Sequence, residues 1–539
     1  MTETGKYLIG VDVGTGSARA GVFDLAGRMI GSAKRDITIW REPGAIVEQS
    51  GNQIWDAVCG SVKSAIAEAA IAPSDVIGMG FDATCSLVVV GPDGAPLAVG
   101  PSGDPERNVI VWMDHRAIGQ AERINAEGHD VLRYVGGVIS PEMETPKLLW
   151  LAENRPETFA AAGHFFDLAD YLSWRATGSL ARSTCTVTCK WTYLAHEARW
   201  DESYFRQIGL GALADEGFRR IGTEIVAPGT KIAELNAEAA TDLGLVPGIA
   251  VASGLIDAHA GGVGTVGVDG APVDSLAYVF GTSSCTMTTT ADPVFVPGVW
   301  GPYYQAMVPQ MWLNEGGQSA AGAAIDQLLS FHPAVAEAAA QAREDEKPLP
   351  VWLADRALQT AGSASDAVML GHELTVVPEF LGNRAPFADP HARAVIAGLG
   401  MERDIDSLVA LYVAGIASIG YGLRQIVETQ SENGANVRQI VISGGAGAHD
   451  LTRQILADAT GLPLIATEAE EPVLLGSAIL GAVAAGAYPD MAAAMKAMTR
   501  AERTYAPADG AISAEHQRKY EGFRAFQYLA RQLRNPQIT

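Results

Sequence analysis

A chain of 539 residues is longer than one ordinary core sustains, and a formal net charge of −24 argues against a broad basic face for nucleic acid or an anionic membrane. Five cysteines without regular spacing argue against a disulfide scaffold and fit a reducing compartment. No uninterrupted apolar run reaches the ~20 residues of a bilayer span, and the start MTETGKYLIGVDVG lacks the basic and apolar regions of a signal peptide, so the expected location is the cytoplasm.

The first predicted element is an apolar strand, Tyr7 to Val11, followed by Asp12 and the turn Gly14-Thr15-Gly16-Ser17. A lone Gly-x-Gly is a weak signal, so its flanks decide. Arg19 to Asp24 alternates as a second strand, and Leu25-Ala26-Gly27 turns into a third, which makes the unit a hairpin and not the crossover of a dinucleotide fold. A hairpin tip of small residues offers backbone N–H groups and hydroxyls to phosphate oxygens, and Asp12 can orient a hydrated Mg²⁺. Further on, Cys185 and Cys189 lie four apart in RSTCTVTCKWTY; with no Cys or His pair close by in sequence, they read as packing cysteines and not as metal ligands.

IAVASGLIDAHAGGVGTVG then predicts a strand leading to Asp257 and a helix after it. A second hairpin follows, with Leu276 to Phe280, the turn Gly281-Thr282-Ser283-Ser284, and a β-prone stretch from Cys285 to Thr288. VRQIVISGGAGAHDLTRQILADATGLPLIA predicts strand, Gly444-Gly445 turn, helix and strand. Two halves that each begin in a hairpin and continue through β/α units imply duplication. The expected fold is α/β and two-lobed, similar to actin, heat-shock chaperone ATPases and sugar kinases, with duplicated ribonuclease-H-like domains and a nucleotide in the cleft between them. Fold alone does not choose the chemistry.

The acceptor side chooses it. VWMDHRA (from Val111), PKLLWLAEN (from Pro146), FDLADYLSWRATG (from Phe166), NEGGQSAAGAAIDQLL (from Asn314) and PEFLGNRAPFADPHARAVIAGL (from Pro378) resemble, in order, the FGGY family of carbohydrate kinases. FDATCSLVVV, SPEMETPKLLWL, CKWTY and GLIDAHAGG look like its D-ribulose kinase branch. Glu142 stands where glycerol kinases carry an aromatic residue, and Gly447-Ala448-His449-Asp450 departs from the usual turn after the second-half glycines.

The resemblance implies an ATP- and Mg²⁺-dependent kinase for a ketopentose, D-ribulose first, with L-ribulose, xylulose, ribitol or erythritol as alternative acceptors. Asp257 matches the catalytic aspartate, expected to act as general base and to share the metal with Asp12; a helix-capping role is the plain alternative. Gly14, Thr15, Gly16, Ser17 and Arg19, with Gly281, Thr282 and Ser283, are expected at the phosphates, Gly444 and Gly445 near the α-phosphate or ribose, and Gly322, Ala323 and Gln327 near adenine. Asp82, Asp114, Glu142 and Lys147 are expected on the sugar with Trp112 as a wall, Lys147 otherwise being a snorkelling helix-start residue. Thr84, Cys85 and Ser86 mark the branch and either touch sugar or shape the strand end. His259 reads as a packed or hydrogen-bonded histidine. The expected domains are residues 1–262, residues 263–495, and a helical extension over 496–539 packed back on the body. Partners are a small sugar and MgATP, with no nucleic acid or membrane, and a homodimer as the assembly to test. The rival from another class is an ATP-switched binding protein of the actin or chaperone type.

Overall fold

The computed structural model describes residues 5–268 and 272–535; the last four residues of the expected extension lie outside them. The first lobe is built on the sheet order Lys231–Glu234, Ala250–Ala252, Val76–Ala83, Tyr7–Val13, Ser17–Asp24, Met29–Asp36. Tyr7–Val13 pairs antiparallel with Ser17–Asp24, Val13 facing Ala18, and parallel with Val76–Ala83, Asp12 facing Asp82. The second lobe repeats the pattern: Ser275–Phe280 pairs antiparallel with Ser284–Thr290 and parallel with Gln439–Ser443, which pairs parallel with Leu464–Thr467. Numbered within each half, both sheets share the strand order 3-2-1-4-5 of one duplicated unit. The central strands are continuously apolar because helices cover both faces.

Two helices cross where the lobes meet. Asp257–Val266 begins at the end of the first lobe's sheet, and Pro472–Ala484 lies across both that helix and the strands Tyr7–Val13 and Val76–Ala83. The crossing needs bare backbone: a Cβ on Gly264 would stand 2.0 Å from the Pro472 carbonyl oxygen, and one on Gly476 1.9 Å from that of Ala260. The chain thus returns to the first lobe, with Leu474, Leu475, Ala478, Met495 and Met498 in the same buried cluster as Ala252, Leu255 and Ile256. A boundary near 495 therefore does not describe the packing of 472–498. The expected extension is also only partly helical. Ala501–Tyr505 is the edge strand of the second sheet, paired with Leu464–Thr467, and only then does Gly510–Arg534 fold back as a helix against Ile405–Glu432 and Asp450–Thr460.

The helix Ile405–Glu432 is long and apolar enough to cross a bilayer by length and composition, and most of its apolar window is buried inside the second lobe. A separate five-stranded sheet in the first lobe (Trp40–Glu42, Ile46–Gln49, Val109–Ile110, Leu87–Val90, His164–Asp167) carries the segment with Trp112 and Asp114 to the cleft.

Candidate active site

The phosphate end is made by strand ends. Asp12, Asp82 and Asp257 come together because Asp12 is opposite Asp82 in one ladder and Leu255-Ile256, pairing with Asp82-Ala83, delivers Asp257 next to them. Burial, and then the neighbouring Asp12 and Asp257 carboxylates, push the Asp82 carboxyl well above its ordinary value. Ser477 Oγ donates to Asp82 Oδ2 at 2.6 Å, while Asp82 Oδ1 is buried without a partner. Asp82, expected on the sugar, lies in an acidic cluster with Asp12 and Asp257. Arg19 contacts Asp12 and donates through Nη1 to Glu471 Oε2 at 2.7 Å, tying the first hairpin to the start of the crossing helix.

Asp257 is the first residue of its helix, half-buried; Ile256 occupies the cap position and makes no side-chain cap bond. Its Oδ1 accepts from the adjacent Ala258 N–H at 2.7 Å, which is not the N2 or N3 bond of a capping residue. Burial, then Asp12, raises its carboxyl to about 6.

One strand residue of each hairpin, Arg19 and Val279, lines a cleft of about 700 Å³ with Ser443, Gly444, Arg453 and Glu471; the hairpin turns themselves are not part of its lining. Gly16 and Thr282 are exposed at the tips, and a Cβ on Gly16 would meet nothing. Thr15 Oγ1 accepts from Trp112 Nε1 at 2.9 Å, which joins the first hairpin to the Trp112 segment and leaves the hydroxyl proton free to donate. Ser86 Oγ accepts the Trp112 N–H at 3.1 Å and pairs with Thr84 Oγ1, so these branch-marking residues shape the wall. Gly444, at φ 95°, lies where a Cβ would strike the Phe280 carbonyl oxygen at 2.4 Å. Beside it, an apolar slot of about 240 Å³ is lined by Phe280, Gly322, Ile325, Tyr412, Ile416 and Gly445, a size and polarity suited to a nucleobase. Gln327 does not join it: its side chain is exposed one helical face away, and Asp326 lines the slot instead.

At the other end, Lys190, Glu315 and Arg384 surround the approach to Asp257. Lys190 is buried on the helix Thr184–Trp191 with Nζ 5.2 Å from the Trp300 ring, and Arg384 lies over the same ring at 6.0 Å. Burial opposes the Lys190 charge, but Cys85 and Glu315 outweigh it and its pKa is raised. Burial likewise opposes the Glu315 charge, yet Lys190 and His259 hold its carboxyl down at about 2. Glu142, half-buried, faces the same charges; against the effect of burial, His115 Nε2 at 3.3 Å and Lys190 lower its pKa.

Two residues expected on the sugar are buried and engaged by protein groups. Asp114 is wholly buried and saturated: Oδ1 accepts from Arg116 N and Nε, both at 2.9 Å, and Oδ2 from Val47 N at 2.6 Å and Arg116 Nη2 at 2.7 Å. Lys147 neither snorkels nor faces the cleft; it is fully buried within Glu144–Asn154 and paired with Glu144 at 3.3 Å, one turn away. Sequence reasoning did not single out Lys190, Glu315 or Arg384, although each stands in a segment that carries the family resemblance; a lone lysine in the apolar TCTVTCKW and a lone glutamate in WLNEGGQ were the available signals. His259 is packed and hydrogen-bonded as expected, but the fold brings it to Cys185 and Cys189, with donor atoms within 4.8 Å of one another.

Models of the N-terminal and C-terminal domains of the FGGY family of carbohydrate kinases match residues 7–264 and 276–485. The chain belongs to this family. It is 44% identical over 514 residues to the human FGGY carbohydrate kinase domain-containing protein, covering 93% of each chain. It is 38% identical over 515 residues to a D-ribulokinase of Saccharomyces cerevisiae, covering 89% of this chain and 72% of the yeast protein. The fold superposes on a gluconate kinase from Lactobacillus acidophilus with a TM-score of 0.79 at 21% identity, over 97% of this chain and 98% of that one. The FGGY carbohydrate kinase is an ATP-dependent phosphotransferase acting on a sugar hydroxyl.

Proposed function

We propose that this kinase phosphorylates D-ribulose to D-ribulose 5-phosphate, with Asp257 as general base. The observation that supports the reading is that strand register sets Asp257 beside Asp12 and Asp82, while its carboxyl also feels Lys190, and Lys190 and Arg384 act together on both Glu142 and Glu315. A ketopentose is neutral and presents several hydroxyls, so its chamber needs donors and acceptors in balance, and such pairing rejects analogues better than apolar contact does. The segments shared with the D-ribulose kinase branch and the identity to the yeast D-ribulokinase favour this acceptor over the other pentuloses.

Bound MgATP supplies the transferable γ-phosphoryl group. The partnerless Asp82 Oδ1, beside Asp12 and Asp257, is a donor set suited to a hard cation that keeps much of its water, and these three residues would hold Mg²⁺. The hydroxyls of Ser17, Thr282 and Ser283, with the Gly16 N–H, are the groups offered to the phosphates, since the Gly14 and Gly281 N–H groups are used within their own turns, at 3.0 Å to the Ser17 and Ser283 carbonyls; Gly444 and Gly445 let the backbone approach the ribose. Lys190, Glu315, Glu142 and Arg384 orient the sugar so that its hydroxyl oxygen is in line with the γ-phosphorus. As the new O–P bond forms and the bond to the bridging oxygen of ADP breaks, Asp257 takes the hydroxyl proton and later returns it to solvent. A loose transition state asks for proton removal only late, so a carboxylate near 6 suffices.

A coupled kinase assay over the four ketopentoses, ribitol, erythritol and glycerol tests the assignment. The expected result is the highest kcat/KM for D-ribulose; a higher value for another acceptor overturns the substrate, and no turnover with any of them overturns the reaction class proposed for this chamber.

A further inference from the structure

We infer that His259 is a positioning residue for the Glu315 carboxylate, anchored from behind by Cys185; the inference rests on Glu315 being a sugar ligand. His259 is fully buried, two residues after Asp257. Its Nδ1 lies 3.1 Å from Cys185 Sγ, and its Nε2 lies 3.4 Å from Glu315 Oε2. The second contact is a long, weak hydrogen bond, and Nε2 has no other partner. Cys185 Sγ also accepts the Ile256 N–H at 3.4 Å, at the residue before Asp257. One thiol thus ties the backbone that carries the base to the histidine that reaches the sugar carboxylate.

Glu315 needs such support. On its strand, Trp312–Gln318, it is followed by Gly316 and Gly317, which offer no side chain to hold it. Lys190 and Arg384 attract it from the cleft side, and without His259 it would turn towards them. Direct proton transfer by His259 does not fit, because both ring nitrogens face protein groups and the ring has no exposed surface. A metal held by Cys185, Cys189 and His259 fits poorly too. Nδ1 is already engaged by the thiol, and Lys190, next to Cys189 in the chain, places a buried ammonium beside the cluster, where a dication would be costly.

The test is a double-mutant cycle in the full-length protein, with MgATP and the best acceptor of the panel above. His259→Leu is expected to raise the sugar KM by ~10-fold, the scale of a lost interaction with a charged group, with the MgATP KM unchanged. His259→Gln, whose Nε2 can still donate to Glu315, should recover most of that loss, and Cys185→Ser should give a smaller rise. In a Glu315→Gln background, His259→Leu should add less than about twofold, because the two act as one unit. Should His259→Leu fail to fold, Cys185→Ser carries the same cycle. Full additivity overturns the inference, as does a fall in kcat with the sugar KM unchanged, or stoichiometric zinc in the purified protein that is lost in Cys185→Ser. An unchanged sugar KM in Glu315→Gln alone would instead remove Glu315 from the sugar site, so the two failures are distinguishable.

Discussion

At the phosphate end of the cleft, Asp12, Asp82 and Asp257 crowd one another, and Arg19, the guanidinium among them, is already engaged by Asp12 and Glu471. At the proposed sugar end, Lys190 and Arg384 act on both Glu142 and Glu315, and His115 Nε2 lies 3.3 Å from Glu142. On the proposed reading, the acidic end takes a cation together with the phosphates, which suits a nucleotide that enters as its Mg²⁺ complex. The balanced end suits a neutral polyol, since its charges are paired before the ligand enters and need only be shared with hydroxyls. Asp257 stands where the two meet.

The largest expected effect is at that junction. Asp257→Asn should lower kcat by roughly 10²–10⁴-fold, the range of a positioned proton acceptor, with the melting temperature retained. Asparagine caps helices about as well as aspartate, so a capping role would leave the rate intact. A rate above about a third of wild type at saturating substrates would take the base away from Asp257.

Next in size are changes that should split the two ends. Lys190→Met and Glu315→Gln should each raise the sugar KM by ~10–10²-fold, the scale of lost charge-assisted hydrogen bonds, with the MgATP KM nearly constant. An equal rise in both constants would mean that these residues hold the lobes and not the sugar. Ser17→Ala and Thr282→Val should do the reverse, raising the MgATP KM by ~10-fold and sparing the sugar KM. Unchanged nucleotide kinetics in both would remove the hairpin tips from the phosphate site. The smallest effect is expected at Gln327→Ala: its side chain is exposed outside the apolar slot, so the MgATP KM should stay within about twofold, and a larger change would return it to the adenine side.

The two ends also differ in how much of them can be read from residues alone. The phosphate end is chain-local: Asp12, the glycine turn and Arg19 fall within one hairpin, and the second hairpin repeats the pattern, so strand alternation and turn chemistry expose both. The duplicated fold was legible for the same reason. The sugar end is assembled from a helix at Lys190, a strand at Glu315 and a loop at Arg384, far apart in the chain, and nothing in their spacing brings them together. Polar residues near the cleft in sequence misled in the opposite direction. Asp114 is engaged by Arg116 two residues on, and Lys147 by Glu144 on the same helical face, and both pairs are buried where the sequence suggested sugar contacts. That Asp82 lies opposite Asp12 is a matter of strand register, which appears only when the sheet is assembled.

The central claim is that the balanced end admits a sugar whose hydroxyl drives turnover at the acidic end. Measuring ADP formation with saturating MgATP, with and without D-ribulose, tests it most directly. The account predicts acceleration by ~10²-fold or more, because the positioned hydroxyl is the nucleophile, and one sugar phosphate for each ADP. Equal rates with and without the sugar, or with any member of the acceptor panel, would mark an ATP-switched binding protein and contradict the account.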